Sequence, residues 1–177
     1  MKKTGRTVTF KGRTPSMALN SADMWRVAHM PIEGALDDFY AYIVKEFTIM
    51  PLTPGSATTE HKAMLYNQSM EFYSFEGNGG FSSYINFENP CLIASAYLST
   101  PNTGDADDDA FAFSKIRDDI LITSDLYLVQ EDMKTGGTSG ATMNYYIQLE
   151  QYTLTRKEFE IALLRDLRDR QMVTKLS

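Results

Sequence analysis

The sequence predicts an all-β fold, an antiparallel β-sandwich of jelly-roll type with a C-terminal helix. Two patterns support this: about eight segments alternate polar and apolar residues with a period of two, and no amphipathic helices separate them as a parallel α/β sheet would require. The chain has 177 residues, 43% of them hydrophobic and 12% aromatic, which is sufficient for one domain with a sizeable core.

The predicted strands are short β-rich runs bounded by Pro, Gly or polar residues. They lie at residues 7–10, 24–32, 39–52, 68–75, 81–87, 91–98, 120–129 and 142–154. The last run has two distinct faces. One face carries Tyr145, Ile147 and Leu149, and the other carries Tyr146, Gln148, Glu150 and Tyr152.

A C-terminal helix is predicted over residues 155–172. Thr155 is followed three positions later by Glu158, which is a capping box, and Leu154 can pack on Phe159 as a hydrophobic staple. An apolar stripe at helical spacing follows, formed by Phe159, Ala162, Leu163 and Leu167. Two ion pairs are predicted on the exposed side, Arg165–Asp169 and Asp166–Arg170. The stripe must be buried against the sandwich or against a neighbouring subunit.

Charge is distributed unevenly around a net value of −6. We predict a basic N-terminal arm over residues 1–20 and an acidic sandwich body over residues 21–154. The arm's cations are Lys2, Lys3, Arg6, Lys11 and Arg13. An arm of one charge sign is suited to contact with a polyanion, and these five residues are the predicted nucleic-acid-binding residues. A frayed, solvated tail is the alternative interpretation.

An aspartate cluster lies in TGDADDDAFAF, residues 104–114. Asp105, Asp107 and Asp109 occupy positions 1, 3 and 5 of a calcium loop, but Ala110 and Ile116 stand where an EF-hand needs Gly and Glu. A calcium site of another kind is one interpretation, since adjacent carboxylates repel one another unless a cation joins them. A solvated acidic loop is the other.

Catalytic patterns are absent from the sequence, so we predict that the protein is not an enzyme. No HxH, HxxxH or CxxC occurs, and the turn around Ser139 lacks the second Gly of a nucleophile elbow. Cys91 is predicted to be a buried hydrophobe, His29 a core or interface residue, and His61 a loop residue. No apolar run reaches the ~18 residues of a membrane span, so no membrane partner is predicted.

Aromatic residues on alternating strands can stack on single-stranded nucleic acid when basic side chains lie beside them. Here the sequence neighbours of the aromatic runs are Glu71, Glu76 and Glu150. We therefore interpret these aromatic residues as core and interface packing.

The order of these features resembles the single jelly-roll capsid proteins of small icosahedral viruses. Circovirus-like single-stranded DNA viruses and satellite plant viruses are the nearest comparisons. The likeness rests on a short basic arm, a β-rich domain with long polar loops and the tyrosine-bearing last strand NYYIQLEQYTL. It implies a subunit of the virion whose partners are copies of itself and packaged nucleic acid facing the arm.

The resemblance further implies that acidic loops meet at symmetry axes, where calcium relieves their repulsion. Two features depart from the pattern. The arm is shorter and less basic than in those proteins, which puts genome neutralisation in doubt, and the terminal helix is an addition that could act as an inter-subunit clamp.

Two other classes remain open. A carbohydrate-binding or phage attachment sandwich would use exposed aromatic residues such as Trp25, Tyr84 and Tyr97, and glycan binding by a non-assembling protein would favour it. An enzyme with unrecognised carboxylate pairs would require a measurable activity that depends on Asp105 and Asp107.

Overall fold

A computed structural model describes residues 1–14, 25–32, 39–51, 59–67, 88–100, 111–132 and 142–176. These ranges contain eight β-strands followed by one α-helix. The elements are β1 Lys2–Arg13, β2 Trp25–Met30, β3 Tyr40–Pro51, β4 Thr59–Tyr66, β5 Leu92–Thr100, β6 Phe111–Ile116, β7 Leu126–Asp132, β8 Met143–Thr153 and α1 Arg156–Leu176. α1 is not apolar enough to cross a membrane.

The strands form two antiparallel sheets, a three-stranded sheet with the order β1-β8-β3 and a five-stranded sheet with the order β2-β7-β4-β5-β6. Their pairing is nested: β1 pairs with β8, β2 with β7 and β4 with β5. β6 is hydrogen-bonded to β5 and lies in contact with β3 across the edge of the other sheet. Nested antiparallel pairing across two sheets is that of a jelly roll, so the predicted fold class is confirmed.

The core lies between the inner faces of the two sheets. Met143, Ile147 and Leu149 of β8 are fully buried, and Tyr145 packs against the same cluster. Phe47 of β3 is also fully buried there. Side chains two positions apart on a strand share a face, so the alternation read from the sequence of β8 assigns its inner face correctly.

β1 contains the strand predicted at residues 7–10 but extends over residues 2–13, and it is an edge strand of the sandwich instead of part of a separate arm. Its ladder with β8 runs from Lys2 opposite Thr153 to Arg13 opposite Asn144. The register of the ladder shifts between Lys3 and Thr7. Gly5 lies in this irregular part with a φ of 80°, a backbone conformation that glycine adopts more readily than other residues.

Apolar residues explain why this basic segment joins the sheet. Val8 and Phe10 point inward and pack against the core, whereas the charged residues of β1 remain exposed. Gly12 lies beneath the Tyr145 ring, and a Cβ at Gly12 would approach the Tyr145 hydroxyl to 2.8 Å. The sandwich therefore begins at β1 rather than at residue 21.

β4 and β6 were not predicted as strands. His61, predicted in a loop, lies in β4 with 1% exposure, and its Nδ1 is 3.3 Å from Gln130 Nε2. The predicted strand 120–129 begins only at Leu126, although Ile122 forms an isolated two-bond bridge with Tyr42. The predicted strands 68–75 and 81–87 lie outside the described residues.

The helix begins as predicted. The Thr155 backbone N–H donates to Glu158 Oε2 at 2.8 Å, and the Glu158 N–H donates to Thr155 Oγ1 at 3.3 Å, so the capping box is confirmed. The Met1 α-amino group also donates to Glu158 Oε1 at 2.6 Å. Leu154 and Phe159 are both buried in one cluster with Ala41, which confirms the hydrophobic staple.

One side of α1 docks on the end of the sandwich. Ala162 is buried, and the Phe159 ring meets Phe39 edge-on at 5.5 Å. Phe39 has a φ of 54°, a strained conformation for a bulky residue, and its carbonyl accepts a hydrogen bond from Leu154 N–H. Contacts at both the ring and the carbonyl hold the start of β3 against the start of the helix.

Asp166 is a correction to the predicted ion pairs. It was expected on the exposed side with Arg170, but it is 5% exposed and accepts a hydrogen bond of 2.7 Å from Asn67 Nδ2. A buried carboxylate needs such a donor, which only the tertiary fold brings near. The Arg165–Asp169 pair is confirmed at 3.9 Å.

The capping box generates a prediction for pH dependence. Hydrogen bonds from the N-terminal amine and from the Thr155 backbone and hydroxyl lower the pKa of Glu158 from 4.5 to about 2. A carboxyl with a depressed pKa in the folded state stabilises the protein above pH 4.5, and this contribution is lost as pH falls towards 2. We expect Glu158→Gln to lower the melting temperature at pH 7 and to flatten its decline between pH 4.5 and 2.

Thermal denaturation followed by circular dichroism measures this slope. Asp118→Asn, which removes an exposed carboxylate outside the helix, is the matched control for the loss of one negative charge. Equal slopes for wild type and Glu158→Gln would contradict the assignment.

Candidate nucleic-acid interface

The outer face of the three-stranded sheet gathers basic side chains from two strands. Residues directly opposite each other in an antiparallel ladder lie on the same face. Lys3 is opposite Tyr152, Lys11 is opposite Tyr146, and Arg13 is opposite Asn144. The outer residues of β8 are thus flanked by cations of β1. We call this surface the cationic face, formed by Lys3, Lys11, Arg13, Lys45, Tyr146, Glu150 and Tyr152.

Glu150 is the centre of an ionic network on the cationic face. Its side chain is only 11% exposed, and it forms an ion pair with Lys3 and a longer one of 3.9 Å with Lys45 of β3. The Tyr152 hydroxyl donates to Glu150 Oε2 at 2.5 Å. β3 and β1 lie on opposite sides of β8, so this one carboxylate links all three strands of the sheet.

The network shifts two pKa values in opposite directions. The hydrogen bond from Lys3 and then that from Tyr152 lower the pKa of Glu150. The same bond to the Glu150 carboxylate raises the pKa of Tyr152, because ionising the phenol would place two anions together. Both groups are therefore held in fixed charge states at neutral pH, an anion and a neutral hydrogen-bond donor.

Lys11 and Arg13 form the open end of the cationic face. Among the described residues, no carboxylate forms an ion pair with either of them, and both are exposed. They lie two positions apart on one strand, about 6.8 Å along its axis. Tyr146 lies beside them on β8 and is partly exposed, so two cations and an aromatic ring face the same solvent region.

The five predicted arm cations are all exposed, but they do not all share one face. Lys3, Lys11 and Arg13 belong to the cationic face. Arg6 lies within the irregular part of β1, where its backbone N–H donates to Thr4 Oγ1. Lys2 lies opposite Thr153 at the end of the ladder. Sequence reasoning missed Lys45, because only the pairing of β3 with β8 brings it to this surface.

The interpretation of the aromatic residues needs a correction on β8. The sequence placed acidic Glu150 beside the tyrosines of β8 and showed no basic residue near them. In the structure, Lys11 lies opposite Tyr146 and Lys3 lies opposite Tyr152 on the neighbouring strand. Alternation in the sequence shows which residues share a face but not which strand lies alongside, and the neighbouring strand carries the cations.

The structure tests the predicted burial of Cys91 but not the predicted calcium ligands. Asp105, Asp107 and Asp109 lie outside the described residues. Within the described ranges, no group of three or more His, Cys, Asp or Glu side chains could hold a metal ion. Cys91 is fully buried, as predicted.

His29 lies at the surface of the chain and not in its core, which was one of its two predicted positions. Its side chain is 51% exposed, and Nε2 lies 2.7 Å from Asp125 Oδ2. Its ring stacks on Tyr127 with centroids 5.0 Å apart. β2 is an edge strand, so a residue on its outer face can remain in solvent.

A groove of about 170 Å³ separates β3 from β6. Phe47, Ile49 and Ala112 contribute to its walls, and Tyr97 stacks on Phe113 at its rim with centroids 5.7 Å apart. Phe113 is 41% exposed. Of the aromatic residues suggested for sugar stacking, Tyr97 is therefore placed at a concave surface, whereas Tyr84 and the Trp25 side chain lie outside the described part of the chain.

Fold and surface together define a jelly-roll β-sandwich with a cationic, tyrosine-bearing sheet face.

No protein-family model and no curated protein matches the sequence. Among solved structures, the chain is similar to VP1 of Trichodysplasia spinulosa-associated polyomavirus in complex with GM1 oligosaccharide, with a TM-score of 0.38 and 7% identity over 85% of this chain and 95% of that chain. It is also similar to the same VP1 in complex with sialylated precision glycooligomers, with a TM-score of 0.36 and 8% identity over 85% of this chain and 96% of that chain. Both likenesses are remote, so the fold class rests on the strand pairing.

The network around Glu150 generates a prediction for tyrosine titration. The pKa of Tyr152 is raised by the Glu150 carboxylate, whereas that of Tyr145 is raised by burial. We expect Glu150→Gln to lower the pKa of Tyr152 towards its usual value of 10.0 and to leave that of Tyr145 unchanged. NMR titration of ring-labelled tyrosine, with Tyr152→Phe to assign the resonance, measures both values. An unmoved Tyr152 would contradict the network.

Proposed function

We propose that this protein is a structural capsid subunit that self-assembles into an icosahedral shell enclosing nucleic acid, and that it is located in the virion. The three nested strand pairs of its sandwich carry the proposal, because they define a jelly roll and the jelly roll is a fold of viral shell proteins. The fold alone does not determine function, so the surfaces must supply the contacts that a shell requires.

Contacts between copies are supported by strand edges. β1 and β3 are the edge strands of the three-stranded sheet, and β2 and β6 are the edge strands of the five-stranded sheet. Edge strands present backbone donors and acceptors to a partner chain, and apolar side chains lie exposed near two of these edges, Met50 on β3 and Phe113 on β6. Asp105, Asp107 and Asp109 remain a predicted calcium site that would bridge acidic loops of neighbouring copies.

Contact with packaged nucleic acid is supported by the cationic face. Lys11 and Arg13 supply charge that no described carboxylate neutralises, and Tyr146 supplies a ring for base stacking. Glu150 already neutralises part of the charge of Lys3 and Lys45. The small number of available cations favours weak, non-specific and salt-dependent binding.

Self-assembly predicts particles of uniform diameter in the purified protein at high concentration. Size-exclusion chromatography and negative-stain electron microscopy detect them directly. A protein that stays monomeric under all conditions contradicts the proposal. Monomers that also give a signal on a glycan array would instead support the attachment-module alternative, with the groove beside Tyr97 and Phe113 as its binding site.

Nucleic-acid binding predicts a charge-specific loss of affinity. We expect Lys11→Glu combined with Arg13→Glu to weaken binding of a single-stranded oligonucleotide. The slope of log K against log salt concentration is negative, and it should become less negative by about 1.4, because two phosphate contacts are lost. Fluorescence anisotropy at several salt concentrations measures both quantities.

The matched control is Arg156→Glu combined with Lys157→Glu, which changes the net charge equally on the exposed first turn of α1. Equal losses in both double variants would mean that overall charge, not the cationic face, governs binding.

A further inference from the structure

α1 has a second apolar stripe on the side that faces solvent. Ile161 is 58% exposed, Leu164 is 66% exposed and Leu167 is 47% exposed. Leu167, predicted in one stripe with Phe159 and Ala162, therefore lies on the exposed side instead. Residues three apart are neighbours on a helix surface, so these three form one continuous line. Phe159 and Ala162, which dock on the sandwich, lie roughly on the opposite side of the helix. The helix therefore has two apolar sides, of which only one is covered within the described residues.

We propose that this outer stripe binds a second copy of the chain, which lays its own α1 antiparallel across it about a two-fold axis at Leu164. The inference rests on the proposed shell function and deepens it, because it names one surface through which copies meet and the symmetry of that contact. A two-fold contact uses the same patch on both subunits, so the patch must complement itself.

The sequence of α1 meets this requirement. In an antiparallel pair centred on Leu164, each residue faces the one equally far beyond the centre in the other copy. Ile161 then meets Leu167 of the partner subunit, and Leu164 meets its own equivalent. Glu160 meets Arg168 of the partner subunit, which gives opposite charges at both ends of the apolar contact.

The charges select this orientation over the parallel one. In a parallel pair, Glu160 would lie beside its own equivalent and Arg168 beside its own, so like charges would oppose each other at both ends. Within the chain, Glu160 is held by Arg156 at 2.9 Å, and Arg168 by Asp169 at 3.0 Å. The Glu160 and Arg168 side chains nevertheless remain more than half exposed, and exposed ion pairs are weak, so an approaching copy can still pair with both.

The aliphatic residues supply most of the binding energy, because exposed ion pairs contribute little. A contact between two single helices is smaller than the ~800 Å² per partner of a standard interface. The pair is therefore weak on its own. Within a shell, other contacts of the same subunits raise its effective concentration.

Cysteine cross-linking tests the two-fold axis. Cys91, the sole native cysteine, is fully buried, so an introduced exposed thiol reports on its own position. We expect Leu164→Cys to form disulfide-linked dimers under mild oxidation, because the axis brings the two thiols together. Lys157→Cys is the matched control on the same side of α1, and its equivalents lie about 21 Å apart in the antiparallel pair, too far to react.

Dimers from Lys157→Cys alone would overturn the antiparallel pair, because that pair keeps the two Lys157 positions apart. Dimers from Leu164→Cys alone support the antiparallel pair. Dimers from both variants would overturn it in favour of a parallel or non-specific contact, and dimers from neither would show that the stripe does not bind a second copy.

Charge reversal tests the complementarity without a covalent bond. We expect Glu160→Arg and Arg168→Glu each to weaken self-association by about tenfold in sedimentation equilibrium, because each places like charges opposite one another twice. The double variant Glu160→Arg with Arg168→Glu should recover the wild-type association constant, since opposite charges face each other again. A double variant that associates no better than the single variants would overturn the pairing.

The same variants separate this inference from the proposed function. Particles that form without a Leu164→Cys cross-link would leave the shell function intact and refute the helix contact. Cross-linked dimers in a protein that forms no particles would support the helix contact and refute the shell function.

Discussion

The structure depends on the position of β8 between β1 and β3. Among the described strands of its sheet, β8 alone is hydrogen-bonded on both sides, to a strand near the start of the chain and to one from its first third. These ladders join residues more than 90 positions apart, so they close long loops and specify the topology. Because strand side chains alternate, the register of β8 also determines which side chains enter the core and which reach the outer face.

The outer face shows how this constraint creates a surface property that no single strand has. β8 contributes Tyr146, Glu150 and Tyr152, while β1 and β3 contribute the cations on either side. Glu150 binds Lys3, Lys45 and Tyr152 at once, so part of the positive charge stabilises the sheet and only the remainder is available to a ligand. The same electrostatic network thus limits the strength of any polyanion contact.

Local signals were sufficient for the last strand and the helix start. The alternation in β8 gave its inner face, and the spacing of Thr155 and Glu158 gave the capping box, because both patterns involve residues close in sequence.

Strand β4 was not predicted, because it contains a buried charged residue. Lys62, 2% exposed in β4, made that strand resemble a loop, since lysine is rarely buried.

The candidate site was predictable only in part, for a related reason. The cations of β1 are visible in the sequence, and residues 7–10 were predicted as a short strand, but the segment was assigned to an arm because its pairing with the distant β8 cannot be read from its own residues. Lys45 joins the cationic face through the β3–β8 register alone. Long-range pairing of this kind leaves no mark within either strand's own sequence.

The register of β8 also fixes what the helix shows to solvent. β8 ends at Thr153, Leu154 is anchored to the Phe39 carbonyl, and Thr155 caps the helix directly afterwards. Each residue of a helix is rotated by about 100° from the last, so the position of the cap determines which side chains face the sandwich. With Thr155 as the cap, Phe159 turns inward and Leu164 turns outward. A shift of one residue would bury part of the outer stripe and expose part of the inner one, so the surface offered to another molecule is set by the same ladder that closes the fold.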